Sequence, residues 1–201
     1  MPARFALVAL AVLVSSAPLV AQQHGGGRPG GAPIHVPPKE ATQYDFLIGH
    51  WEITVRPKVP GLAARIHGAP RLLGSWKAWR AFDGFGVEDE LRIVDGSGNP
   101  NSLNHTLRSY DPTNRRWTIT GLDVYRARVS SATAGWRDGV MTQNGEGIDG
   151  EGKPYLTRTR FTEIGPTSFR MQQDRSTDGG KTWDEGLLKI EAKRVAAIAP
   201  R

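Results

Sequence analysis

Apolar and polar side chains alternate with a period of two through most of this chain. In His50-Trp51-Glu52-Ile53-Thr54-Val55-Arg56 the apolar residues Trp51, Ile53 and Val55 share one face, and His50, Glu52, Thr54 and Arg56 share the other, which is the pattern of a half-buried strand. The last segment alternates as cleanly, with Gly186, Leu188, Ile190 and Ala192 against Glu185, Lys189, Glu191 and Lys193. Between such runs stand Asp83-Gly84, Asp95-Gly96, Asp138-Gly139, Asp149-Gly150 and Asp178-Gly179, dipeptides that favour tight hairpin turns. The pattern predicts strands over 50–57, 71–82, 86–94, 102–110, 115–122, 126–134, 138–145, 155–163, 167–174 and 183–194, with a short helix over 39–46. Long helical periodicity is missing. The expected fold is all-β: a single antiparallel up-and-down barrel of about eight to ten strands, which removes its edges by closing on itself. Phe46-Leu47-Ile48-Gly49-His50-Trp51 reads as a turn into the first strand, with Gly49 permitting the bend and Trp51 plugging one barrel end.

The amino-terminal stretch has a different character. Residues 1–21 combine Arg4, an apolar run and small residues ending at Ala21, the composition of a secretory signal peptide. Residues 22–40 are rich in Gly and Pro, cannot bury a core, and read as a tether. The barrel domain is expected over 41–195 and a short tail over 196–201. No cysteine occurs, so thiol chemistry, a lipid-bearing cysteine and disulfides are excluded, and the fold must be held by hydrophobic burial. The expected location is periplasmic or secreted. The formal charge is +6, but the signs are interspersed without a block of five like charges, so neither nucleic acid nor a membrane span is expected.

Candidate chemistry comes from charged residues that the alternation aims inward. His105 shares a face with Leu103 and Leu107, Asp89 with Val87, Leu91 and Ile93, Arg80 with Trp76 and Ala78, and Arg158 and Arg160 with Leu156. Charges inside a barrel cost several kcal/mol unless paired. One reading is structural pairing of arginine with aspartate. The sharper one is a surplus of positive charge accepting an anionic group on a mostly apolar ligand held by Trp76, Trp117 and Phe169. A barrel isomerase or hydrolase using His105 as general base with Asp89 is the enzymatic alternative, and a lumen filled by side chains is the structural one.

Other patterns carry less. Ser176-x-Asp178-x-Gly180-x-Thr182-Trp183 matches the Asp-box hairpin, but a single copy implies a turn rather than a propeller. Asp95, Ser97 and Asn99 space their oxygens like a calcium loop; the echo at 148–154 puts Lys153 at a ligand position, so both read as hairpin turns. Cleavage after Ala21 would place His24 third from a free amine, a nitrogen set suited to Cu(II) or Ni(II). Nucleophile-elbow, zinc-protease and phosphate-loop motifs are absent. Asp89 and Glu90 are adjacent, so they point to opposite faces and do not form a glycosidase pair.

Phe46-Leu47-x-Gly49-x-Trp51, Leu107-Arg108-Ser109-Tyr110-Asp111-Pro112 leading into Arg116-Trp117, and the closing Glu191-Ala192-Lys193-Arg194 together resemble a family of exported proteins of uncharacterised function related to the calycins, with a likeness extending to lipocalins and nitrobindins. The resemblance implies a closed barrel of eight to ten strands holding a small hydrophobic ligand or haem. Nitrobindins ligate haem through a histidine late in the chain, and no histidine follows His105 here. The expectation is therefore a small hydrophobic or amphipathic ligand and no cofactor.

Overall fold

The structure, a computed structural model, describes residues 36–59, 61 and 70–195. The expected signal peptide, the tether up to residue 35, His24 and the tail lie outside the described residues. Ten strands follow in order: β1 Gly49–Pro57, β2 Leu72–Ala81, β3 Gly86–Val94, β4 Pro100–Asp111, β5 Arg116–Asp123, β6 Arg128–Arg137, β7 Val140–Ile148, β8 Pro154–Thr162, β9 Ser168–Ser176 and β10 Asp184–Arg194. Each is antiparallel to its sequence neighbours, and β1 also pairs with β10, from Trp51 opposite Arg194 to Pro57 opposite Leu188. This is the closed up-and-down barrel that the alternation predicts.

The helix expected over 39–46 is instead two 3₁₀ turns, Lys39–Thr42 and Asp45–Leu47. Neither Pro38 nor Tyr44 supplies a side-chain cap, and three or four residues are too few to offset the cost of starting an α-helix. Lys39 and Glu40, which composition assigns to the tether, already belong to the first turn.

These turns close one end of the barrel. Tyr44, Leu47, Trp51, Trp117, Phe161 and Phe169 are buried there, and their rings meet edge to face, Trp51 with Phe169 at 4.8 Å and Tyr44 with Trp117 at 4.7 Å. Hydrogen bonds tie the segment down. Trp51 Nε1 donates to the Leu47 carbonyl at 2.7 Å, Trp117 Nε1 to Gln43 Oε1 at 3.0 Å and Arg80 to the Ala41 carbonyl at 2.7 Å. Arg80 also pairs with Asp45. Gly49 makes the bend into β1 at φ +133°, a conformation that strains any L side chain, and a Cβ there would strike the Arg194 guanidinium.

At the other end the repeated loops are one turn used twice. Asp95 accepts the amides of Ser97 and Asn99, and Asp149 those of Glu151 and Lys153. The carboxylates are thus occupied within the turns: the Asn99 side-chain amide foremost, then its backbone amide, lowers the pKa of Asp95, and the Lys153 backbone amide foremost lowers that of Asp149. No group of three or more potential metal-ligating side chains occurs among the described residues. The Asp-box turn works similarly. Asp178 accepts the Thr182 amide and hydroxyl and the Ser176 hydroxyl, and these bonds, Thr182 foremost, hold its pKa down at about 2.

Candidate functional site

The half of the lumen away from the aromatic plug contains a cavity of about 360 Å³. Its lining follows from strand alternation, because every second residue of each strand points inside. β4 contributes Ser102, Asn104, Thr106 and Arg108; β8 contributes Tyr155, Thr157 and Thr159; β9 contributes Gln173 and Arg175. Trp76, Leu91, Ile93 and Leu188 from β2, β3 and β10 form an apolar stretch of the same wall.

The floor is a buried ion pair. Asp89 and Arg108 are 0 % and 3 % exposed and in direct ionic contact, and Trp76 Nε1 donates to the second Asp89 oxygen at 2.7 Å. Arg108 also lies 5.2 Å from the Tyr44 ring centroid, and Gln143 Nε2 donates to the Tyr44 hydroxyl at 2.7 Å. Burial dominates the titration of both groups, pushing Tyr44 up to about 12 and lowering Arg108 from its ordinary value. The floor is charged but internally neutralised.

Arg175 differs. Its guanidinium lies over the Tyr155 ring at 4.3 Å, its Nε is buried without a hydrogen-bond partner, and it forms no salt bridge among the described residues. Arg108 Nε is likewise without a hydrogen-bond partner, but its guanidinium contacts Asp89, whereas Arg175 has no carboxylate at that distance among the described residues.

Several residues expected inside lie elsewhere. His105 is on the outer surface, 2.7 Å from Glu88 and beside the Trp79 ring. Leu103 and Leu107 point outward with it. The phase of β4 is decided by Arg108 pairing with Asp89 and by Tyr110 packing on Trp117 at 5.6 Å, and these outweigh two half-exposed leucines. His105 and Asp89 are therefore on opposite faces of the sheet, and the enzymatic reading loses its base. Arg158 and Arg160 are likewise outside, both bound to the fully buried Asp174 at 3.1 and 2.8 Å. Asp174 also accepts the Gly186 amide at the irregularity in β10, and Arg158 stacks on Trp183 at 4.4 Å.

Arg80, Trp117 and Phe169 do face inward, but they build the closed end rather than the cavity. Of the expected site residues, Trp76 and Asp89 alone line the chamber. The residues missed are Arg108, Arg175, Asn104, Gln143, Gln173 and Tyr155. A signal for β8 was present: Tyr155 and Phe161 are in phase with Thr157 and Thr159, two aromatics against the single Leu156.

No protein-family model and no curated protein matches the chain. The ten-stranded antiparallel barrel is consistent with a calycin-like fold, and the chemistry must be argued from the chamber itself.

Proposed function

We propose that this is an exported, non-catalytic binding protein that carries a small amphipathic anion in the lumen, with Arg175 as its anchor. The observation that carries this reading is Arg175 itself, a cavity-lining cation with an unpartnered Nε and no carboxylate at salt-bridge distance among the described residues, Glu146 at the cavity wall and Asp149 in the neighbouring turn both lying farther away. Guanidinium binds carboxylate through paired, charge-assisted hydrogen bonds, and the Tyr155 face beneath it fixes the plane in which those donors point. The apolar stretch from Trp76 to Leu188 supports an apolar body on the ligand, and 360 Å³ lies within the range of small-molecule sites. The signal peptide composition of residues 1–21 supports export.

Isothermal titration with 2-naphthoate and with the neutral 2-naphthalenemethanol tests the reading. The acid is expected to bind and the alcohol to bind at least tenfold more weakly, since a hydrogen bond to a charged group contributes about 1.5–3 kcal/mol. Arg175→Gln is expected to remove the preference for the acid, whereas His105→Ala and Arg160→Ala, which alter the outer surface, leave it intact. Unchanged naphthoate affinity in Arg175→Gln, or no response to the acid at all, overturns the proposal.

A further inference from the structure

We infer that the carried anion is a hydroxylated organic acid, a carboxylate whose carbon body bears several O–H groups. The inference rests on Arg175 as the anion anchor and adds what the rest of the wall recognises. Inward side chains change character with depth. Nearest the plug, Ile119 of β5, Ala132 of β6, Phe161 of β8 and Met171 of β9 line the cavity with carbon. One step nearer the mouth the arc from β4 to β9 turns polar, with Asn104 and Thr106, then Gln143, then Thr157 and Thr159, then Gln173. Leu91, Trp76 and Leu188 continue this layer on β3, β2 and β10, Leu91 standing opposite Asn104 and Leu188 opposite Gln173 in the ladders.

Three of the polar side chains are amides, and each has one N–H committed within the protein. Asn104 Nδ2 donates to Ser102 Oγ at 2.7 Å, Gln143 Nε2 to the Tyr44 hydroxyl at 2.7 Å and Gln173 Nε2 to Thr159 Oγ1 at 3.2 Å. These bonds orient the amides and leave their carbonyl oxygens as acceptors. Among the described residues, the sealed side-chain atoms without a hydrogen bond belong to the Asp89 and Arg108 pair and to Arg175, not to these amides. The three oxygens therefore open onto the lumen that their side chains line. Hydroxyls supplement them: Ser130 and Thr157 lean over Gly121 and Gly145, where a Cβ would come to 2.9 Å from either oxygen.

A wall of this kind asks for a ligand that donates to carbonyl oxygens and also accepts from hydroxyls. A ligand hydroxyl does both, whereas an ammonium only donates and shares the chamber with the Arg175 cation. A fatty or aryl acid satisfies Arg175 but displaces water from the three amide oxygens and gives them nothing in return, and an acceptor left unmatched in a filled cavity weakens binding. Discrimination of this kind is strong because it comes from the protein's own polar groups being left unpaired. The carbon of Leu188, Trp76 and Leu91 receives the C–H face of the same ligand.

The test is calorimetric titration of the full chain with cyclohexanecarboxylate, with four hydroxylated ring acids that differ in stereochemistry (quinate, shikimate, glucuronate and galacturonate) and with 2-naphthoate. At least one hydroxylated acid is expected to bind about tenfold or more tighter than cyclohexanecarboxylate. Asn104→Leu and Gln173→Leu should each reduce that advantage while leaving cyclohexanecarboxylate affinity unchanged, which also shows that the variants are folded. Arg175→Gln should weaken all the acids alike. If every hydroxylated acid binds no better than cyclohexanecarboxylate, or if the advantage survives both leucine variants, the hydroxylated-acid inference is overturned. In either case weaker 2-naphthoate binding by Arg175→Gln leaves the anion-carrier reading standing. Binding of none of the acids overturns both.

Discussion

Asp89→Ala is expected to lower the free energy of unfolding by about 3–5 kcal/mol, because it strands Arg108 in the interior without its counter-charge. Arg108 is 3 % exposed, so water cannot replace the lost carboxylate, and the Trp76 indole N–H loses its acceptor in the same step. Against a total stability of about 5–15 kcal/mol for a domain, that is between about a fifth of the margin and all of it. The double variant Asp89→Leu/Arg108→Met removes both charges and restores carbon of similar bulk, and it is expected to recover most of the loss, since a buried pair and its apolar replacement are close in energy. Urea titrations followed by tryptophan fluorescence distinguish the two. A loss below about 1 kcal/mol in the single variant means that the pair is hydrated in solution.

Trp51→Ala is expected to cost about 3–5 kcal/mol by opening a cavity in the plug. Trp51 is fully buried, its ring meets Phe169 at 4.8 Å, and the Arg194 guanidinium covers it at 4.0 Å. Its N–H is also the bond that fastens the 3₁₀ turn ending at Leu47. Trp51→Phe keeps a six-membered ring but loses that bond and part of the indole's packing, so its cost should lie between about 1 kcal/mol for the bond alone and the full Trp51→Ala loss. The comparison separates packing from tethering. Equal losses in the two variants, measured by urea unfolding, would assign the stabilisation to the hydrogen bond instead.

Both sites show how much of the barrel was legible in the sequence. Trp51, Ile53 and Val55 alternate without a competing pattern, and the Asp-Gly turns at 95, 138, 149 and 178 fall between observed strands, so strand order and the inner face of β1 followed from periodicity alone. The inner faces of β4 and β8 did not, because period two says that faces alternate without saying which is inside. Where a lumen is half polar, as here, the apolar residues stop marking the interior. Leu107 is 38 % exposed while Arg108 beside it is buried, an inversion that only the partner Asp89, 19 residues earlier in the numbering, explains. Arg158 and Arg160 misled for a related reason: their counter-charge Asp174 is buried on the outside of the sheet, under β10, rather than in the core. Arg175 was missed for a different reason: it shares the inward face of β9 with Phe169, which was correctly aimed into the barrel, and that face was not followed to its end.

The whole account depends on which face of β4 looks into a closed lumen. The chain has no cysteine, so Thr106→Cys and Leu107→Cys each introduce a single thiol on neighbouring residues of β4, and their labelling can be compared with a small methanethiosulfonate and a bulky polymer-linked maleimide. The small reagent is expected to modify both variants, the bulky one Leu107→Cys alone, and 2-naphthoate should slow modification of Thr106→Cys without affecting Leu107→Cys. Bulky labelling of Thr106→Cys with Leu107→Cys shielded would place the sheet inside out relative to the geometry described and contradict it.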